Sequence, residues 1–163
     1  MLKKISYLLV VLSLFNCSSN DDSSEKIIPV NSTHLLNGDW NVTKIENHNG
    51  ELLFTECNTS ELYIVFNDAD DTATWERARI NNNGCTSSTY AYNSWGVYAN
   101  SLGYVRLYNQ GTSGSSYRNC KADLIGGNGL RLCIVQVKSG QSNEVISTIP
   151  VEEREYYYFT KAN

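Results

Sequence analysis

Residues 117–138 read YRNCKADLIGGNGLRLCIVQVK, and this stretch carries the strongest fold signal in the chain. Two segments rich in strand-favouring residues, 117–125 and 129–138, flank a turn formed by Gly126, Gly127, Asn128 and Gly129. Successive residues that tolerate positive φ suit the tight turns whose geometry matches the twist of paired strands. The stretch therefore predicts a β-hairpin.

The same pattern extends over most of the chain. From Leu35 onward, short segments rich in Val, Ile, Thr, Tyr, Phe and Trp alternate with clusters of Asn, Gly, Asp and Ser, which is typical of an all-β domain. The predicted strands are 38–46, 61–67, 72–80, 87–95, 103–109, 117–125, 129–138, and 144–160 with a break around Pro150. Consecutive hairpins with an edge at each end predict an antiparallel up-and-down barrel of about eight strands, because closure removes the exposed edges.

The N-terminus has the features of an export signal. Lys3 and Lys4 precede an apolar run from 5 to 15, and a polar Ser, Asn and Asp segment follows Cys17. The apolar run is too short for a membrane span, which needs roughly 20 residues. With Cys17 at the junction, the segment resembles a bacterial lipoprotein signal, which implies that the Cys17 thiol is acylated and anchors the protein to a membrane.

We therefore divide the chain into a signal peptide (1–16), a lipidated tether (17–33) and a β-barrel domain (34–163). The acidic patch formed by Asp21 and Asp22 after Asn20 resembles the signals that send lipoproteins of Bacteroidetes to the outer membrane and its cell-surface face. The formal net charge is −4, and the chain has no clustered basic face of the kind that nucleic acid requires. We expect a monomer.

Four cysteines remain after Cys17, and an even number in an exported protein predicts two disulfides with three possible connectivities. A tight turn over 125–128 would place Cys120 opposite Cys133. The turn at 68–71 would bring Cys57 and Cys85 together just beyond the ends of their strands. We therefore expect the pairs Cys57–Cys85 and Cys120–Cys133, rather than a metal site, because the close pairs typical of zinc ligands are missing.

The segment LNGDWNVTKI, 36–45, contains a Gly-x-Trp motif at the start of the first strand. Together with Cys57, the strand at 62–67, Cys85 and the closing YYYFTK at 156–161, it resembles the lipocalin-like lipoproteins of Bacteroidetes. The resemblance implies that Trp40 closes one end of the barrel. It also implies that a basic residue near the last strand, Lys161 or Arg154, covers the ring through a cation–π contact.

Two aromatic and basic faces are the candidate ligand-binding surfaces. Alternation places aromatic and arginine side chains on one side of the third and fifth strands, and such a face can stack on a ring while it binds a carboxylate or phosphate. The competing interpretation is a solvated outer sheet face, where Tyr, Trp and Arg are also common. The candidate lining residues are Trp75, Arg77, Tyr90, Tyr92, Tyr104, Arg106 and Tyr108.

The sequence offers no catalytic constellation. His34 and His48 lack a neighbouring nucleophile motif, so we expect a protein without enzymatic activity, cofactor or metal. Asp71-Thr72-Ala73 resembles an O-glycosylation motif of Bacteroidetes and makes Thr72 a candidate attachment point. The favoured hypothesis is a membrane-anchored lipoprotein whose barrel binds a small or glycan-derived ligand. The alternative is a structural or interaction lipoprotein with a filled barrel.

Overall fold

The computed structural model describes residues 26–81, 84–97, 103–111, 114–138 and 147–163. Within these ranges, three short 3-10 turns cover Thr33–Leu35, Thr59–Glu61 and Val151–Glu153, and no helix is long and apolar enough to cross a membrane. The strands are β1 (Ile27–Pro29), β2 (Gly38–Glu46), β3 (Tyr63–Asn67), β4 (Thr72–Asn81), β5 (Gly84–Tyr92), β6 (Ser94–Val97), β7 (Tyr104–Gly111), β8 (Gly114–Ile125), β9 (Gly129–Lys138), β10 (Ser147–Thr148) and β11 (Tyr156–Lys161).

The strands form one antiparallel sheet in the order β5-β4-β3-β2-β11-β9-β8-β7-β6, with β1 added to β8 and β10 added to β9. Most neighbours in the sheet are neighbours in sequence; the exceptions are β11, which pairs with β2 and β9, and β1, which pairs with β8. The predicted all-β antiparallel fold is confirmed. Among the described ladders none joins β5 to β6, so the sheet is not closed by backbone pairing; along the chain, β6 follows β5 directly after Asn93.

One face of the sheet, which we call the inner face, carries the core. Aliphatic and aromatic side chains alternate with outward-facing polar ones along most strands, as a half-buried antiparallel sheet requires. The ends of the sheet share this core, because Trp95 of β6 packs on Phe66 of β3 with ring centroids 4.7 Å apart. The largest fully buried side chains are those of Trp40, Trp75, Tyr157, Phe66, Leu36, Ile45, Leu62, Ile64, Leu107, Leu130, Leu132 and Val30.

Trp40 covers one end of this core, which we call the Trp40 end. Its indole Nε1 donates a hydrogen bond to the carbonyl of Leu36 at 2.7 Å. Lys161 lies over the ring, with Nζ 5.3 Å from the centroid, so the predicted cation–π contact is present. Arg154, the other residue considered for this contact, instead donates from Nε to the carbonyl of Ile149.

Residues 26–33 pack on the sheet, although they fall in the stretch expected to be a tether. β7 begins at Tyr104, opposite Lys121, the Ala122 N–H donates to the Gly103 carbonyl, and the residues of β8 from Asp123 onward have no partner in β7. β1 pairs with Asp123–Ile125 and satisfies their backbone groups. Val30, just after β1, is fully buried. Cys17, the expected signal peptide and tether residues 17–25 lie outside the described residues.

The disulfide between Cys57 and Cys85 is confirmed, with a Cα–Cα distance of 5.3 Å. The expected bond between Cys120 and Cys133 is wrong, since both residues are unbonded. The turn between β8 and β9 holds three residues, so Ile125 pairs with Gly129 and Cys133 pairs with Lys121. This one-residue difference from the expected register places the two thiols on opposite faces of the sheet.

Candidate functional site

Two arginines project from the inner face at the end of the core opposite Trp40. Arg77 comes from β4 and Arg118 from β8, and their guanidinium carbons lie 5.6 Å and 4.7 Å from the ring centroid of Tyr90. Strand alternation explains both orientations. Arg77 follows Trp75 by two residues, and Arg118 precedes the buried Cys120 by two.

Arg77 is held by an aromatic cluster and one carboxylate. Its guanidinium carbon lies 5.1 Å from the Trp75 ring and 5.5 Å from the Tyr157 ring. Its Nη2 donates to Glu155 Oε2 at 3.3 Å, and Tyr157 donates its hydroxyl to the same oxygen at 3.0 Å. Burial disfavours the charged form of Arg77, but Tyr157 and Glu155 outweigh that cost, and the pKa of Arg77 lies above its usual value.

Arg118 has a different set of partners. Its guanidinium carbon lies 5.8 Å from the ring centroid of Tyr92, and its Nη1 donates to the Tyr92 hydroxyl at 3.1 Å. None of the described carboxylates lies within ion-pair distance of Arg118, whereas Glu155 pairs with Arg77. Burial raises the pKa of Tyr92 to about 12, and the positive charge of Arg118 opposes this rise.

Three nitrogen atoms in this cluster are buried without a hydrogen-bond partner from the described chain: Nε of Arg77, Nε of Arg118 and Nε1 of Trp75. Leaving a buried donor unpaired costs about 1–3 kcal/mol, and more when the group is charged. Protein side chains therefore do not fully satisfy the inner arginines.

A cavity of about 320 Å³ lies beside the arginines. We call it the arginine pocket; its lining residues are Arg77, Arg118, Arg154, Ile134, Val137, Ile149, Glu153, Glu155 and Tyr157. β11 fixes its position, because that strand runs from Tyr157 beside the pocket to Lys161 over Trp40. The pocket combines a basic wall, an aliphatic wall and two carboxylates, at the end of the core opposite Trp40.

The candidate lining residues on β4 and β5 lie at the arginine pocket or beside it, whereas those on β7 do not. Arg77 lines the pocket, and Trp75, Tyr90 and Tyr92 lie behind it on the same inner face, in contact with the two arginines.

Three candidates on β7, Tyr104, Arg106 and Tyr108, are not among the residues that line the arginine pocket, and a role for them in ligand binding stays a prediction. Their neighbours Val105 and Leu107 are the buried residues of that strand, so the aliphatic side chains take the inner face. Arg106 is instead on the outer face, with its guanidinium carbon 4.2 Å from the Tyr117 ring and its Nε bonded to Asn119 Oδ1.

Sequence reasoning missed the other eight lining residues of the pocket, among them the polar residues Arg118, Arg154, Glu155 and Tyr157. A signal for Arg118 was present, because Arg118, Cys120 and Ala122 share one face while Asn119 and Lys121 share the other. A face with small apolar residues is the more easily buried of the two. Arg154 and Glu155 lie between the last 3-10 turn and β11, where no alternation predicts a direction.

Neither free cysteine is activated as a nucleophile, and the described residues contain no metal-ligand cluster. Burial raises the pKa of Cys120 to about 12 and that of Cys133 to about 11, so both remain protonated thiols at neutral pH. His34 bonds to Asp68 on the surface, and no group of three or more His, Cys, Asp or Glu side chains within the described ranges could hold a metal ion.

Thr72, the candidate glycosylation residue, starts β4 beside the acidic turn. It is half-buried, and its hydroxyl donates to Asp70 Oδ1 at 2.6 Å. A glycan on this oxygen would have to replace that hydrogen bond. Attachment at Thr72 stays a prediction.

The fold and the site together define a class: an all-β protein with one antiparallel sheet, one disulfide and an arginine-lined pocket on its inner face. Comparison with known proteins finds no match, whether to a family model, to a curated protein or to a solved structure.

Proposed function

We propose that this chain is a lipid-anchored, lipocalin-like lipoprotein whose barrel binds a small anionic ligand in the arginine pocket. Eight strand positions support the barrel, namely β2, β3, β4, β5 with β6, β7, β8, β9 and β11, because each pairs with the next and the last returns to the first. The remaining gap is narrow, since Asn109 of β7 donates from Nδ2 to the Ala91 carbonyl of β5 at 3.2 Å.

The observation that carries the ligand proposal is Arg118. It presents a positive charge to an inner cavity, its Nε is buried without a partner, and no described carboxylate lies within ion-pair distance. A guanidinium in such a place is costly unless an anion accompanies it. A carboxylate or phosphate matches the guanidinium fork and is the natural occupant.

The pocket also limits the size and shape of the ligand. A volume of about 320 Å³ is at the lower end of the range for small-molecule sites. The aliphatic part of the lining is formed by Ile134, Val137 and Ile149, and Val137 is the cross-strand partner of Arg118. These features favour a small amphipathic anion, with an acidic group toward the arginines and an aliphatic or ring portion toward the apolar wall. A glycan-derived ligand would fit this chemistry only as an acidic sugar.

The rest of the proposal rests on sequence motifs. Acylation of Cys17 would hold the protein in the outer membrane, and the acidic residues after Cys17 favour the cell-surface face. We propose a monomeric binding protein without enzymatic activity, cofactor or affinity for nucleic acid.

A second function, an interaction lipoprotein with a filled barrel, has one observation in its favour. Aromatic side chains occupy much of the inner space: the Trp75 ring packs against Tyr157 at 5.2 Å and against Phe159 at 6.2 Å. In this case the arginine pocket would hold no ligand. The two hypotheses therefore differ in whether the protein binds a small anion.

The test is calorimetric titration of the full chain with hexanoate and 4-hydroxybenzoate, each compared with its neutral amide. We expect an acid to bind and its amide to bind at least tenfold more weakly, because a hydrogen bond to a charged group contributes about 1.5–3 kcal/mol. Arg118→Gln should abolish the preference for the acid. Arg106→Gln, which changes an outer-face arginine, should leave it intact.

Thermal unfolding of both variants establishes that each is folded before it is titrated. If neither acid binds, or if Arg118→Gln and Arg106→Gln bind alike, the ligand proposal is wrong and the filled-barrel interpretation is the better one.

A further inference from the structure

The described chain enters the fold at the Trp40 end. The carbonyl of Lys26 accepts a hydrogen bond from the Gly126 N–H at 3.3 Å, beside the β8–β9 turn. That turn is fixed to the end of β11, because the Lys161 N–H donates to the Asn128 carbonyl at 3.0 Å. Lys161 in turn covers Trp40. The point of entry and the covered end of the core are therefore one surface.

The length of chain before this point limits its distance from a lipid anchor. Cys17 precedes Lys26 by nine residues, which span at most about 30 Å when fully extended. β9 runs from Gly129 beside the entry point to Ile134 and Val137 at the pocket, which is roughly 17–27 Å farther along the strand. The nine residues therefore connect the Trp40 end to the anchor without being extended, whereas they would have to be almost fully extended to bring the pocket to the membrane.

We propose that the Trp40 end is the surface that faces the lipid bilayer, so that the arginine pocket opens away from the membrane. This inference rests on the proposed acylation of Cys17. Its consequence concerns the ligand: the pocket receives a solute from the aqueous side, and it does not take lipid directly from the bilayer beneath the protein.

Exposed apolar side chains at the point of entry fit a bilayer surface. Ile27 is 52% exposed, Ile28 41% and Leu35 41%, and all three lie at the Trp40 end. Leu52 and Val151 are also exposed, but at the opposite end, so apolar exposure alone does not choose the orientation. The orientation follows from the entry point, and the three residues add apolar contact at that surface.

Electrostatic attraction to lipid headgroups does not account for contact between the Trp40 end and the bilayer. The turn between β3 and β4 places Asp68, Asp70 and Asp71 at the Trp40 end, and Asp39 is exposed nearby at the start of β2. Anionic lipid would repel these carboxylates. We therefore expect the orientation to be better defined on zwitterionic than on anionic vesicles, and salt to reduce that difference by screening the repulsion.

The experiment uses the full acylated chain in phosphatidylethanolamine and phosphatidylglycerol vesicles that contain a nitroxide-headgroup lipid as quencher. A bimane label is placed at Asn128→Cys in the turn at the Trp40 end, or at Glu152→Cys in the exposed turn beside the pocket. We expect several-fold stronger quenching at position 128 than at position 152. The parent chain is the labelling control, since Cys120 and Cys133 are buried.

An Ile27→Ser and Ile28→Ser double variant should keep its anchor and show weaker quenching at position 128. Acylated protein with equal quenching at both positions, or with stronger quenching at position 152, would overturn the orientation while leaving the anchor intact. Mass spectrometry that finds no acyl group on Cys17 would overturn the anchor and the orientation together. Neither result affects the titration of the arginine pocket, which tests the ligand proposal separately.

Discussion

Lys161 and Trp40 are direct partners in the ladder between β11 and β2, and the ammonium group of Lys161 covers the Trp40 ring. The two residues come from the last and first long strands of the sheet. Their contact therefore links the first and last long strands at the Trp40 end, which is also where the chain enters the fold. The fully buried ring and its exposed cover make different contributions to stability.

We expect Trp40→Ala to lower the free energy of unfolding by about 3–5 kcal/mol, because it leaves a cavity in the core and removes the hydrogen bond to Leu36. Lys161→Ala should cost only about 0.5–1 kcal/mol, as an exposed cation–π contact does. Urea unfolding followed by fluorescence measures both. Equal losses in the two variants would contradict the described packing.

The cysteines give a prediction about covalent structure. In a Cys17→Ser variant, we expect peptide mapping to find Cys57 bonded to Cys85 and two thiols, Cys120 and Cys133, that react with iodoacetamide only after unfolding. Replacing Cys57 and Cys85 together by Ser should cost about 3 kcal/mol, because the bond closes a loop of sequence separation 28. A peptide that links Cys120 to Cys133 would show that the register of β8 and β9 is wrong.

The sequence predicted the strands more accurately than the faces they present. The strands predicted at 38–46 and 129–138 have the same limits in the structure, since turn residues such as Gly129 mark where pairing begins. Alternation on β7 divided Tyr104 and Arg106 from Val105 and Leu107, but a period of two does not say which face is inner. Burial decided that question in favour of the aliphatic residues.

Register and chain entry were predicted less well, because both depend on distant parts of the molecule. The turn between β8 and β9 has three residues and is not the tight turn that was expected. Cys133 therefore pairs with Lys121 and not with Cys120. β1 has only three residues, and its pairing depends on the edge that β8 exposes beyond the start of β7. The role of Arg118 also depends on a distant part of the chain, because its partners Tyr90 and Tyr92 contact it across the core from β5.

The packing of residues 26–33 gives a third prediction. Val30→Ala should lower the free energy of unfolding by about 2 kcal/mol, because Val30 is fully buried. Asn31→Ala, at the exposed next position, is the matched control and should have little effect. Chemical denaturation of the two variants in parallel decides the matter. If Val30→Ala is as stable as its control, this segment contributes nothing to the fold.

The last prediction concerns the response of the arginine pocket to high pH. Burial raises the pKa of Tyr92 to about 12, whereas a tyrosine in the unfolded chain titrates near 10. Between these values the unfolded state loses a proton that the folded state retains, so stability is complete below about pH 10 and falls as pH rises toward 12. Burial raises the pKa of Tyr157 as well, so the wild-type protein loses stability through both residues.

Tyr92→Phe should therefore be less sensitive to alkali than the wild type. It removes the hydroxyl that accepts from Arg118, which lowers stability by a constant amount at neutral pH. From pH 8 to pH 11, however, the variant should lose about 1 kcal/mol less than the wild type, since one proton is no longer retained on folding. Urea midpoints at both pH values measure this difference, and Tyr104→Phe on the outer face is the control for loss of one hydroxyl. If Tyr92→Phe and the wild type lose stability in parallel, the Tyr92 hydroxyl does not lie buried beside Arg118, and the described arrangement of the pocket is wrong.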